Sequence, residues 1–82
     1  MKKQDSIRND KNIKIGSNIK RIRKSRNMKS VDLIREVNLL GIDLNTFSLS
    51  KIEACSQHIT ASQFKAIRKV LCCEYEDLLK ES

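Results

Sequence analysis

Apolar residues recur along most of the chain at the spacing of three and four positions that is typical of amphipathic helices. Two such stripes come first, and they are formed by Ile15, Ile19, Ile22, Leu33, Val37 and Leu40. A stripe of this kind turns one face of each helix toward a core. The pattern predicts a first helix over about residues 17–26, ended by Asn27 in the left-handed conformation, and a second helix within residues 28–40.

The sequence also marks where the second helix begins and ends. Ser30 is a residue type that is preferred at the N-cap of a helix. Gly41 can take a positive φ without a steric penalty, so it stops the helix. Ile42 can then fold back on the last turn as the hydrophobic contact of a Schellman ending. A second helix followed by a short turn is therefore predicted.

A third helix is predicted within the segment LNTFSLSKIE. Asn45 is its N-cap, and Leu44 can pack on Leu49 as a hydrophobic staple, so the helix starts one residue after Asn45. Leu49 and Ile52 are spaced to face the core. The opposite face is expected to present Thr46, Phe47, Ser50 and Lys51.

The last third of the chain predicts two more helices. After a loop over residues 54–59, Thr60 and Gln63 form a T-x-x-Q capping box that opens a fourth helix. Its stripe is formed by Phe64, Ile67, Val70 and Leu71. A short fifth helix starts near Glu74, and its apolar residues are Tyr75, Leu78 and Leu79. The expected fold is all-α, a compact bundle of five short helices.

Size and composition agree with this fold class. The chain has 82 residues, no Pro, no Trp and two Gly, which suits one helical domain. A domain of this size buries only about 60 to 65% of its unfolded surface, so a dimer would add stability. No apolar run approaches the roughly 20 residues of a membrane span, and Met1 is followed by polar residues, so we expect a soluble cytoplasmic protein.

The net charge of +7 is concentrated near the N-terminus. Residues 1–29 contain eleven Lys or Arg and two Asp, a net of +9, whereas residues 30–82 have a net of −2. This asymmetry favours a polyanionic partner, nucleic acid first and an anionic membrane surface second, with a solubilising tail as the alternative. Residues 1–13 are interpreted as a flexible basic arm that follows phosphates or enters a minor groove, or as an inert leader.

Other candidate chemistry is sparse. The three cysteines are odd in number, so they do not form a disulfide framework and are expected to be reduced. Cys55 and His58 form C-x-x-H, and Cys72 with Cys73 would complete a zinc site, but adjacent cysteines rarely ligate one tetrahedral ion. Redox sensing would require an exposed thiol of low pKa. His58 has no nucleophile to pair with, so neither an enzyme nor a cofactor is expected.

Residues 15–79 resemble the lambda repressor/Cro-like helix-turn-helix (XRE) family. The resemblance rests on four stretches in order: IGSNIKRIRKSRNM, DLIREV, LSKIE and ITASQFKAIRKVLCCEYEDLL. It implies a helix-turn-helix domain over residues 14–82 whose recognition helix, about 45–54, enters the major groove of double-stranded DNA. It further implies a small transcriptional regulator that works as a homodimer.

The resemblance also implies roles for individual residues. The base-contacting residues would be Thr46, Phe47, Ser50 and Lys51. Contacts to the DNA backbone would come from Lys29, Ser30, Asn45, Ser56 and Arg21. The dimer interface would involve Tyr75, Leu78 and Leu79. Glu53 resembles the buried Glu of the family, so it is assigned to structure, and Arg23 is expected to pair with it.

Several features depart from the family. The turn between Gly41 and Asn45 is longer than usual. The residues that differ in type are Ser30 for a Gln, Ile34 for a small Ala, and Cys55 and Cys72 for Gly. With Phe47 exposed in place of a polar reader, a second hypothesis is a protein-interaction module, antitoxin- or adaptor-like, that kept the fold without specific DNA readout. Steep salt dependence of DNA binding would separate the two.

Overall fold

The computed structural model describes residues 6–7 and 14–80, and within them the chain forms five helices. The helices are α1 (Ile15–Ser25), α2 (Ser30–Leu39), α3 (Thr46–Glu53), α4 (Ala61–Leu71) and α5 (Tyr75–Leu78). The predicted all-α bundle of five short helices is confirmed. Among the described residues, no helix has the length and apolar character needed to cross a membrane.

Two short strands accompany the helices. β1 (Ser6–Ile7) and β2 (Ile59–Thr60) pair antiparallel, with Ser6 opposite Thr60 and Ile7 opposite Ile59. This pairing was not predicted, because Ile59 was expected to end a loop. The remainder of the predicted basic arm, residues 1–5 and 8–13, lies outside the described residues.

The core is formed by the predicted stripes of α1 to α4 together with Ile59 of β2 and Leu78 of α5. Its largest fully buried side chains are Ile15, Ile19, Leu33, Val37, Leu49, Ile52, Ile59, Ile67, Leu71 and Leu78. Leu44 and Leu49 belong to the same buried cluster, as the staple requires. The prediction that Leu40 faces the core was wrong. α2 ends one residue before Leu40, and the side chain of Leu40 is 44% exposed.

Helix starts follow the predicted caps at α3 and α4, whereas α2 lacks its predicted cap and α1 starts earlier than predicted. Asn45 Oδ1 accepts from the Ser48 N–H at 2.7 Å at the start of α3. Thr60 and Gln63 accept from each other's N–H groups at 3.1 Å. Ser30 is not an N-cap, because Lys29 holds that position and donates its N–H to the Asp32 carboxylate at 3.1 Å. α1 begins at Ile15, two residues earlier than predicted, with the Asn18 N–H bonded to the Lys14 carbonyl.

The ends of α1 to α4 share one hydrogen-bond pattern. After α2, the Gly41 N–H (φ 85°) donates to the Asn38 carbonyl at 2.9 Å, and the Ile42 N–H donates to the Val37 carbonyl at 3.4 Å. These two bonds form the predicted Schellman motif. The other helices end in the same way at Asn27, Cys55 and Cys72, with φ of 55°, 61° and 54°. Both cysteines therefore occupy a left-handed conformation that normally favours Gly.

Candidate nucleic-acid interface

The outward face of α3 carries the four side chains that were predicted as base contacts. Thr46, Phe47, Ser50 and Lys51 are all exposed, while Leu49 and Ile52 of the same helix are buried. Phe47 is 69% exposed. Lys51 Nζ lies 4.6 Å from the centroid of the Phe47 ring, one helical turn away, so the ammonium and the aromatic face form a cation–π pair. The predicted exposure of this face is confirmed.

An ion pair fixes the C-terminal end of α3 to α1. Arg23 donates from Nε to Glu53 Oε2 at 2.8 Å and from Nη2 to Oε1 at 2.9 Å, and its Nη1 donates to the Met28 carbonyl at 2.9 Å. Both side chains are only 8% exposed. The hydrogen bonds to Glu53 raise the pKa of the Arg23 guanidinium above its ordinary value, against the opposing effect of burial. The predicted pairing of Arg23 with Glu53 is therefore confirmed.

Gly16 allows the backbones of α1 and α3 to touch. A Cβ at this position would overlap the carbonyl oxygen of Ile52 and lie 2.8 Å from its carbonyl carbon. Only glycine can occupy this crossing without a shift of one helix. Sequence reasoning did not assign Gly16 this role, although an isolated Gly inside a helical pattern is a signal of close packing.

The turn between α2 and α3 is held from both sides. Asn38 Oδ1 accepts from the Leu44 N–H at 3.2 Å, and Gln63 Nε2 donates to the Asp43 carbonyl at 3.2 Å. A hollow of about 580 Å³ lies beside the start of α3 and is lined in part by Asp43 and Asn45. The longer turn is thus tied to α2 and α4, and neither Asn38 nor the second bond of Gln63 was predicted.

The predicted contacts to the DNA backbone do not all lie near α3. Lys29, Asn45 and Ser56 are exposed, and Ser30 is half-buried as the first residue of α2. Arg21 faces α5, because it donates to Asn18 Oδ1 at 3.1 Å and lines a small hollow with residues that include Cys73 and Asp77.

Lys20 lies on the other edge of α1. It is four residues after Gly16 and three before Arg23, and both of those residues touch α3. Lys20 was not predicted as a DNA contact, although the helical spacing in α1 places it on the side of Gly16 and Arg23.

Asn18 anchors the end of the described chain to α1. Its Nδ2 donates to the Leu78 carbonyl at 2.8 Å and to the Lys80 carbonyl at 2.9 Å. Sequence reasoning missed this buried Asn, which satisfies carbonyls that the short helix α5 leaves unpaired.

The predicted dimer residues differ in accessibility. Leu78 is fully buried in the core, so in this structure it cannot contact a second copy, and that part of the prediction was wrong. Tyr75 and Leu79 remain 38% and 39% exposed. The Tyr75 ring packs against Phe64 at 5.3 Å between centroids, and Arg68 lies 4.7 Å above it.

The cysteines are spread over three environments. Cys55 is half-buried with its Sγ 3.7 Å from Ser17 Oγ, Cys72 is exposed and Cys73 is buried. Burial, with a smaller contribution from Asp77, raises the pKa of the Cys73 thiol. Within residues 14–80, no three His, Cys, Asp or Glu side chains gather as metal ligands, so the Cys55 and His58 motif is not joined by Cys72 and Cys73.

Comparison with known proteins adds no assignment. No protein-family model, no curated protein and no solved structure matches the chain. The resemblance to the lambda repressor/Cro-like family therefore stays a prediction that depends on the residues described above.

Proposed function

We propose that the chain binds double-stranded DNA sequence-specifically, as a small transcriptional regulator, with α3 in the major groove. The observation that carries this proposal is the exposed face of α3, where Thr46, Phe47, Ser50 and Lys51 project from a helix held in place by its neighbours. The Arg23–Glu53 pair and the Asn45 cap secure its two ends. A rigidly held helix face supports readout because its side chains keep one register.

The chemistry of this face fits the edges of base pairs. The diameter of an α-helix with its side chains, about 10 to 12 Å, is close to the width of the major groove, so α3 can enter it. Lys51 can donate to guanine O6 or N7, and the Phe47 ring or the Thr46 methyl can contact a thymine methyl. In the unbound chain the Phe47 ring holds the Lys51 ammonium, so binding would exchange this cation–π contact for a base edge.

Exposed basic residues would supply contacts to phosphate. On α1 and just after it, the exposed cations are Lys20, Arg21, Lys24, Arg26 and Lys29. Lys20 and Lys29 are favoured as phosphate contacts, since Lys20 lies on the edge of α1 beside α3 and Lys29 precedes α2. A homodimer would place two copies of α3 about 34 Å apart, in successive major grooves of a near-palindromic site.

A salt titration of DNA binding tests this proposal. If about six phosphates are neutralised, affinity for duplex DNA should fall by something like 10³-fold between about 50 and 200 mM salt. Lys51→Ala should cost about 1 to 3 kcal/mol on a preferred duplex and have little effect on a random one. Lys65→Ala, a matched exposed lysine on α4, is the control and should leave the base preference unchanged.

A protein-interaction module remains the second candidate, and the exposure of Phe47 favours it. An aromatic ring that is 69% exposed is a typical anchor for a protein partner. In that case Phe47→Ala would abolish partner binding, and binding would barely respond to salt. If the chain binds specific and random duplexes equally well, and moderate salt abolishes both, the result would support this candidate over the DNA-binding one.

A further inference from the structure

A groove runs between α2 and α4 on a part of the surface that contains no residue of α3. Its first section has a volume of about 700 Å³, and the apolar residues in its lining are Met28, Leu39, Leu40 and Val70. A second section of about 420 Å³ continues along α4 past Ala66 toward Ser62. Leu40 and Lys69 line both sections, so the two form one continuous surface, the α2–α4 groove.

The apolar side of this groove is unusually exposed. Leu39 is 73% exposed and Leu40 is 44% exposed, and the half-buried Met28 and Val70 pack against the core beside them. Single exposed leucines are ordinary, but two adjacent leucines over a concave apolar floor form a contiguous patch. An exposed apolar patch with a charged rim is a candidate interaction site.

The charged rim of the groove is asymmetric. Along α4 it carries the exposed Lys65 and Lys69, and α4 contains no acidic residue. Along α2 the carboxylates of Asp32 and Glu36 lie 3.3 and 3.7 Å from Arg35, so one cation offsets only one of the two negative charges and the α2 side stays acidic. The cations along α4 therefore favour an acidic partner.

Arg68 lines part of the groove, but its guanidinium is held within the fold. Its Nε is buried without a hydrogen-bond partner among the described residues, although its Nη1 donates to the Cys73 carbonyl at 3.4 Å. The guanidinium also lies 4.7 Å from the centroid of the Tyr75 ring, so Lys65 and Lys69 are the cations of α4 that a partner can reach.

From these features we infer that the α2–α4 groove binds an acidic amphipathic helix of a partner protein. Apolar side chains at helical spacing would pack on Leu39 and Leu40, while carboxylates on one flank of the helix would face Lys65 and Lys69. The groove follows α4 from Ser62 to Val70, a rise of about 12 Å. This length accommodates roughly two turns and three apolar anchors.

Other occupants fit these observations less well. A second copy related by a two-fold axis through the groove would bring its own Lys65 and Lys69 against the same lysines. Its α5 has only four residues and is too short to fill two turns. DNA would satisfy the cations but would leave Leu39 against phosphates. Because no residue of α3 lines the groove, the inference stands apart from the proposed function.

Three synthetic peptides of about 18 residues test the inference, a length that permits helix formation. The first has Leu at i, i+4 and i+7 with Glu on the flanks. The second has the same composition without periodicity, and the third has Lys in place of Glu. Fluorescence anisotropy with the full chain should show the first peptide binding at least about 10-fold more tightly than either of the others.

Matched variants locate the site. Leu39→Ser should weaken binding of the first peptide about 10-fold, because an exposed leucine contact is lost. Lys69→Glu should weaken it to a similar extent by charge reversal. Phe47→Ser removes an equally exposed apolar side chain from α3 and should have no effect. All three positions are exposed, so unfolding midpoints should show that each variant folds.

Four results would overturn the inference. The first two are similar binding of all three peptides and no binding of the first peptide up to about 1 mM. The third is loss of peptide binding with Phe47→Ser and not with Leu39→Ser. The fourth is a dimer of the chain alone that Leu39→Ser converts to a monomer. The last result would assign the groove to a second copy. DNA binding of the same variants is measured separately, so failure here is distinguishable from failure of the proposed function.

Discussion

At the level of single residues, the position of α3 depends on one glycine and on one ion pair. Gly16 brings the backbone of α1 against Ile52. Arg23 and Glu53 join the same two helices with two charge-assisted hydrogen bonds. Because the proposed readout face lies on α3, changes at these three residues should affect stability first and binding as a consequence.

Replacement of Gly16 by Ala should destabilise the fold by about 3 kcal/mol or more, because the added Cβ overlaps the Ile52 carbonyl. This outcome runs against intrinsic propensity, since Gly to Ala inside a helix normally stabilises by about 1 kcal/mol. Urea unfolding measures the change. Ser17→Ala, at the exposed neighbouring position, is the control and should stay within about 0.5 kcal/mol. An unchanged midpoint for Gly16→Ala would contradict the close crossing of α1 and α3.

Removal of one partner of the buried ion pair should also be costly. Glu53→Ala should lower the free energy of unfolding by about 3 to 5 kcal/mol, because it leaves the Arg23 guanidinium buried without its carboxylate. The double variant with Arg23→Ala should cost less than the sum of the two single changes, which a double-mutant cycle measures. Strict additivity of the two losses would show that the pair contributes no coupling.

The sequence predicted some of these residue roles and missed others for a physical reason. Arg23 and Glu53 could be paired in advance because charged residues beside apolar stripes need a partner, and the family resemblance supplied one. Gly16 and Asn18 act on groups far along the chain, the Ile52 backbone and the Leu78 carbonyl. No local pattern marks such a partner, so only the three-dimensional arrangement shows it.

At the scale of the helices, the C-terminal caps store strain. Cys55 and Cys72 adopt left-handed backbone angles where a residue with a Cβ is disfavoured by roughly 1 kcal/mol or more. The fold accepts this conformation because each Schellman ending pairs carbonyls that would otherwise lack a partner.

Relief of this strain should stabilise the protein. Cys72→Gly should raise the free energy of unfolding by about 0.5 to 1 kcal/mol, since Cys72 is exposed and loses only its unfavourable Cβ. Cys72→Ala keeps the Cβ and serves as the control, with no gain expected. Chemical unfolding of both variants measures the difference. Equal stability of the two would show that the backbone angle at this residue carries no strain.

The helices themselves were predictable to a greater extent than their ends. The stripes of α1 to α4 and the caps at Asn45 and Thr60 follow from local sequence, and the structure has them. The start of α2 differs because the Asp32 carboxylate, three residues in, bonds the Lys29 N–H and lets the helix begin without a Ser cap. Leu40 differs because α2 stops before its side chain can turn toward the core.

At the scale of the whole molecule, two exposed surfaces with different chemistry lie on different elements. The face of α3 combines hydrogen-bonding groups with one aromatic ring, and the α2–α4 groove combines exposed leucines with lysines. The sequence predicted the first surface through helical spacing. It could not predict the second, because the exposure of Leu39 and Leu40 depends on where α2 ends and how α4 packs beside it. Under the two proposals, the chain binds DNA through α3 and a partner helix through the α2–α4 groove at the same time.

The central claim, sequence-specific DNA binding through α3, is tested most directly by selection of bound duplexes from a random pool at about 150 mM salt, with Lys51→Ala run in parallel. We expect the chain to enrich a near-palindromic site and Lys51→Ala to lose preference at one base pair of each half-site. Lys65→Ala should retain the full preference. The absence of any enriched sequence, or an identical site for the chain and for Lys51→Ala, would contradict the assignment of α3 as the reader.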